Sequence, residues 1–361
     1  MRFKFLQILV LFVAPCLLLE AGALAQTGKA EQEDESKANA AFHWLDLNTG
    51  VNGQVLGPSQ LGRLNLTYEM ERDADVERET VQVDSKTVKT VERVYRRDAN
   101  GRRTLQAINE VEHTTFPDGR MEAVQTKSTV DLNGRMQVWR QQRQETRNLG
   151  QDDWETTSSV LKPGPTGRLQ PVYKIRQTER KGSDDIVRVD RVVEESDLNS
   201  RWNVIEQRSA TIQEKEAETV QQETIYEKNA FGELALRSQV ASIQWTDEDG
   251  TVHRTIDTYQ PDSRGRMDVV ERIELSEVTL RDGGKQTVQE LQTRSAANGS
   301  LQVVERIARD LSKPRGGGTA EEIRIERRNV EGRLSAAEQF RRTQTEKDTG
   351  SGKKTFTSKP N

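Results

Sequence analysis

The phrase D-x-x-G-R, or a close variant, returns along this chain at a nearly constant interval. It reads DANGRR at 98–103, DLNGRM at 131–136, DSRGRM at 262–267 and NVEGRL at 329–334. Its glycine falls at Gly101, Gly134, Gly167, Gly232, Gly265, Gly299 and Gly332, with Ser200 holding the remaining place. Successive steps are 33, 33, 33, 32, 33, 34 and 33 residues. Self-similarity at a fixed period of about 20–50 residues marks a repeat architecture.

The phrase is chemically a turn. An Asp or Asn three residues before the glycine (Asp98, Asp131, Asp197, Asn229, Asp262, Asn329) can bond the backbone two residues on and open a type I turn. Glycine then takes the left-handed position that a side chain resists. That combination is a common hairpin loop with a bulge. A second set of breakers stands near the midpoint of most repeats: PDGR at 117–120, NLGQDD at 148–153, KGSDD at 181–185, DEDGT at 247–251, RDGGK at 281–285 and PRGGGT at 314–319. DTGSG at 348–352 ends the series, and only the interval 200–232 lacks an obvious breaker. The segments between turns are rich in Val, Ile, Thr and Gln, as in TVQVDSKTVKTVERVY at 80–95, which favours strand over helix.

Positions counted from each glycine form columns. Two residues on stand Met136, Leu169, Trp202, Leu234, Met267, Leu301 and Leu334. Four on stand Leu105, Val138, Val204, Leu236, Val269 and Val303, with Pro171 and Ala336 in the other two repeats. Eight on stand Ile175, Val240, Ile273, Ile307 and Phe340. Their common parity places all three columns on one face of an unbroken strand. The expected fold is all-β: a long antiparallel up-and-down meander of about sixteen strands of ~12 residues, two per repeat. So wide a sheet should twist, curl or close. Residues 61–345 are assigned to this array, 26–60 to a polar segment and cap, and 346–361 to a C-terminal tail.

Composition fits a thin structure. Hydrophobic residues make up 33% of the 361, against about 45–50% in ordinary globular chains, so a thick core is hard to fill. With 54 Lys+Arg against 58 Asp+Glu, no nucleic-acid footprint stands out. The first 25 residues have the layout of a secretory signal peptide: Arg2 and Lys4, the apolar run FLQILVLFVAPCLLL, then ALA before Gln26. The run is shorter than the ~20 residues a spanning helix needs. Cys16 is the only cysteine and falls inside this segment, so no disulfide, thiolate nucleophile or Cys-based metal site is expected after cleavage. The expected address is periplasmic, cell-surface or secreted, in a bacterial envelope setting.

Side chains with chemical potential are few. His43, His113 and His253 stand in unrelated contexts, with no second ligand at metal spacing. DEDG at 247–250 lacks the remainder of a calcium loop. The +6 column carries Glu206, Glu271, Glu305 and Glu338, with Arg140 in the 134 repeat. A repeated acidic row reads as ion pairing with neighbouring Arg rather than as an active site, which is normally unique. The +1 column (Arg102, Arg135, Arg168, Arg201, Arg266, Arg333) is interspersed with acids, which weakens any attraction for an anionic polymer. No catalytic, cofactor-binding or metal residue is assigned, and no cofactor is expected.

The stretches YRRDANGRR (95–103), YEKNAFGEL (226–234) and YQPDSRGRM (259–267) resemble the YD repeats of bacterial wall-associated and Rhs-type proteins. The tyrosine stands six residues before the glycine, in three repeats only, and the period is longer than that family's. The resemblance implies an exported, non-enzymatic β-scaffold. The expectation is therefore a non-enzymatic β-repeat protein of the envelope or secreted fraction, serving as an interaction, adhesion or scaffolding surface. Its partner would be an envelope protein or polysaccharide, not nucleic acid. The alternatives are an outer-membrane β-barrel, disfavoured by charges placed on the face of the Leu/Met columns, and a glycan-processing enzyme using the carboxylate row.

Overall fold

The computed structural model describes residues 74–360, apart from short stretches at 98–99, 132, 151–152, 198, 216–217, 296–297, 313–318, 330 and 349–352. The expected signal segment, the 26–60 segment, Cys16, His43 and the glycines at 316–318 lie outside the described residues. The described chain is all-β, in one antiparallel sheet. Its strands are β1 (Ala74–Gln82), β2 (Thr87–Arg97), β3 (Arg103–Thr115), β4 (Met121–Val130), β5 (Met136–Gly150) and β6 (Asp153–Pro163). Then follow β7 (Leu169–Lys181), β8 (Ile186–Ser196), β9 (Trp202–Lys215), β10 (Glu218–Lys228), β11 (Leu234–Thr246) and β12 (Val252–Pro261). The last are β13 (Met267–Thr279), β14 (Lys285–Arg294), β15 (Leu301–Ser312), β16 (Thr319–Arg328), β17 (Leu334–Asp348) and β18 (Lys353–Pro360).

Each strand from β1 to β17 pairs with the next in sequence, so these seventeen form one up-and-down meander, as expected from the repeat. The segment assigned to a tail is not one: β17 runs to Asp348, and β18, alternating Thr and Phe356, is a strand. It lies between the two outer strands of the meander. Its backbone pairs with β17 over Arg342–Asp348 and with β1 over Val76–Val81. Over those stretches the amide and carbonyl rows that an open sheet would leave bare are hydrogen-bonded.

The turns have the conformation their sequence dictates. The Gly134 N–H donates to the Asp131 carbonyl at 3.0 Å, and the Asp131 N–H to the Arg135 carbonyl at 2.8 Å. The Asp131 carboxylate accepts from the amides of Asn133 and Arg135, each at 2.8 Å. The same bonds recur at Asp197, Asn229, Asp262 and Asn329. The turn glycines have φ between 70° and 85°, and Ser200 in the same place has φ 60°, where its Cβ is strained.

One expectation about the faces fails, for a regular reason. Thr258 stands opposite Glu271, yet its neighbour Tyr259 stands opposite Val269, leaving Val270 as an extra residue. The same irregularity adds Gln106, Trp139, Val172, Ile205, Arg237, Val304 and Ala337, each five positions after the turn residue. Every odd strand from β3 to β17 thus carries a β-bulge at +5. A bulge puts one extra residue against its partner strand, so side chains beyond it change face. The +2 and +4 columns therefore share one face, while +6 and +8 lie on the other.

Burial separates the two faces. At +8, Ile175 and Ile273 are each 2% exposed, whereas at +2 Met136 and Leu234 are 38% and 37% exposed. We term the crowded face inner. On it Val160, Tyr173, Ile175 and Val193 form one apolar cluster, and Ile307, Ile323 and Ile325, with Phe340 against them, form another. Recurrent bulges also bend and twist strands, which suits a sheet that curls until β18 can reach both of its outer strands.

Candidate functional site

Ionisable groups on the inner face gather between β8 and β10. Glu206 and Arg208 stand two residues apart on β9, past its bulge, so both project inward. Glu206 accepts from Arg208 through both oxygens, with Nε at 2.6 Å and Nη2 at 2.9 Å. Glu223 on β10 approaches Arg208 Nη1 at 3.5 Å. Arg191 on β8 lies directly across from Arg208. Glu206 and Arg208 are buried.

The electrostatics follow from burial and neighbours. Burial alone would lower the Arg208 pKa, but Glu206 and Glu223 hold it above its ordinary value. Burial raises Glu223, although Arg208 and Arg191 oppose the rise. Arg191 is pushed down to about 10 by burial and by the like charge of Arg208, against the opposing charges of Glu206 and Glu223. Its Nε has no hydrogen-bond partner. Two strands away, burial pushes Glu179 up to about 7. The Tyr173 hydroxyl is raised to about 12 by burial and by Glu195.

The acidic row noted in the sequence is real, and Glu206, Glu305 and Glu338 in it are ion-paired. Arg327 on β16 bridges Glu305 at 2.9 Å and Glu338 at 3.2 Å. Glu206 is held by Arg208 as above, and a further buried carboxylate, Glu321, pairs with Arg309. Glu271 lies opposite Thr258 and Thr293 on the inner face. The row does not share a face with the Leu/Met columns, so the objection to a membrane barrel on that ground falls. A different one replaces it. The outer face carries Arg143, Arg176, Asp190, Asp257, Arg272 and Arg306 at mid-strand, with Asp257 and Arg272 paired at 2.6 Å. The apolar +2 and +4 columns make an outer band only ~7 Å tall, against the ~25 Å apolar belt of a spanning barrel.

The other singled-out residues are dispersed. Burial lowers His113 on the inner face of β3 to about 4. His253 on the outer face of β12 stacks on Trp245, with ring centroids 5.2 Å apart, and its Nε2 lies 2.8 Å from Asp247. The +1 arginines Arg102, Arg135, Arg168, Arg201, Arg266 and Arg333 are exposed at the turns. No group of three or more metal-ligating side chains occurs among the described residues. Sequence reading singled out Glu206 but missed Arg191, Arg208 and Glu223. The Glu-x-Arg spacing at 206–208 was the available signal, since residues two apart on a strand share a face.

The described part of the molecule defines a class: an all-β protein of one antiparallel up-and-down sheet, with ion pairs on both faces. No protein family and no curated protein matches the chain. Among solved structures it is similar to a porin-like protein from Bacteroides uniformis, at 11% identity over 80% of this chain and 97% of that one, with a TM-score of 0.18. A likeness that weak carries no weight for function.

Proposed function

We propose that this is a non-enzymatic, exported β-repeat protein of the bacterial envelope or secreted fraction, acting as an interaction or scaffolding surface. The observation that carries the reading is the eightfold recurrence of one bulge, alongside turns that mostly share one hydrogen-bond pattern, which builds an extended surface and repeats its side-chain directions along the sheet. The signal-like leader supports export. The carboxylate row supports a structural role, because Glu206, Glu305 and Glu338 each face an arginine within ion-pair distance. The mid-strand charges of the outer face favour a water-exposed sheet over a membrane-spanning barrel, where each Arg or Lys would cost about 2–4 kcal/mol at the bilayer midplane.

Fractionation tests the reading. Cells expressing the full chain should release it on osmotic shock without detergent. Retention in the membrane until detergent is added would point to the spanning barrel instead. Glu271→Gln combined with Glu305→Gln should leave glycan turnover unchanged. Loss of turnover with the fold intact would favour a glycan-processing enzyme.

A further inference from the structure

The inner-face charges between β7 and β10 are unevenly shared. Glu206 gives both oxygens to Arg208, and Glu223 also turns to Arg208, so one cation holds two carboxylates. Arg191 has neither. Its cross-strand neighbours are Arg208 on one side and Gln177 on the other. Along its own strand, Val189 and Val193 share its face. Two guanidinium groups directly opposite one another repel. A crowded cation with an unmet N–H is the kind of group that an ordered ion or water ordinarily completes.

We propose that Arg191, with the Gln177 amide across from it on β7, is a binding site for an oxyanion. The ligand is a carboxylate, sulfate or phosphate group, whose paired oxygens match the planar fork of guanidinium N–H donors. Arg191 as a whole is only partly covered, although its Nε is buried. Glu179, diagonal to Arg191 on β7, is an acid not paired with Arg208, and its raised pKa lets much of it stand neutral near pH 7. The anion could be a free solute or a charged group on a glycan chain.

Thermal unfolding of the purified protein, titrated with inorganic phosphate or with oligogalacturonate against chloride at equal ionic strength, tests the site. Phosphate should raise Tm by about 5 °C at a hundredfold excess over Kd. Arg191→Met should fold with an unliganded Tm close to the parent's, because it relieves the repulsion from Arg208, and should lose the response. Gln177→Leu should keep the response at several-fold weaker affinity. A shift with oligogalacturonate but not phosphate assigns the ligand as a sugar carboxylate; a shift with phosphate alone assigns a free oxyanion. Equal shifts in the parent and Arg191→Met, no shift with either probe, or an Arg191→Met protein that is markedly destabilised without anion, would each overturn the proposal.

Discussion

The repeats that begin at Gly167 and Ser200 fill equivalent inner-face positions with opposite chemistry. After Gly167, positions +6 and +8 are Tyr173 and Ile175, packed against Val160 and Val193. After Ser200 the same positions are Glu206 and Arg208, joined by two hydrogen bonds and flanked by Glu223. Both repeats have the bulge at +5, at Val172 and Ile205, and the same ladder registers either side of it. The backbone plan therefore does not depend on what the inner face carries. Turn and bulge fix the direction of each side chain, and the pair at +6 and +8 has only to satisfy itself.

The two solutions should respond differently to loss of a partner. Arg208→Met leaves Glu206 and Glu223 buried without their cation, and should cost about 3–5 kcal/mol in urea unfolding. Replacing the whole set tests the comparison more sharply. Glu206→Tyr and Arg208→Ile, made together with Glu223→Gln and Arg191→Met, give the charged repeat its neighbour's chemistry. That variant should be at least as stable as the parent, because a buried ion network exchanged for well-packed apolar groups is often neutral or stabilising. A loss as large as that of Arg208→Met would mean that the charges hold the register.

Ile175→Ala is the matching deletion in the apolar repeat. It removes a side chain that is 2% exposed between Ser158 and Val193, and should cost about 2–5 kcal/mol, toward the low end if the curled sheet can relax into the gap. The turns of the two repeats predict a smaller effect. Gly167 adopts φ 75° freely, whereas Ser200 holds φ 60° against its own Cβ. Ser200→Gly should therefore stabilise by about 1 kcal/mol, and Gly167→Ser should destabilise by a similar amount. Equal stabilities for all three proteins would show that the left-handed position carries no strain.

The sequence showed the period, the turn chemistry and the strand class because each rests on local residues: Asp or Asn to accept the turn amides, Gly to go left-handed, and β-formers between. It hid the faces. The bulge residues Gln106, Trp139, Val172, Ile205, Arg237, Val270, Val304 and Ala337 share no size, charge or polarity, so nothing at +5 announces the change of parity. The bulge is a property of pairing, and shows only when Tyr259 is found opposite Val269 and Thr258 opposite Glu271. The same error hid the charged cluster, whose members come from three strands. Strand β18 was missed because its eight residues follow the last phrase of the repeat, where a tail was the simpler reading.

In the parent protein, two buried titratable groups outside the ion cluster should show the smallest effect, because they oppose each other. Glu179, held up at about 7 by burial, binds its proton more tightly folded than unfolded, where the ordinary value is 4.5. Its contribution is present below about pH 4.5 and is lost as pH rises through 7. His113, lowered to about 4 from 6.5, has the opposite sign: its contribution is present above 6.5 and is lost as pH falls toward 4. In the parent protein the two slopes oppose each other across the same window, so stability should change little between pH 4.5 and 6.5. Glu179→Gln should unmask the histidine, with stability rising as pH rises through that window. His113→Gln should unmask the glutamate, with stability falling toward pH 7. Chemical denaturation of the three proteins at matched pH values reads both slopes, and parallel profiles would show that neither group titrates differently in the folded and unfolded chain.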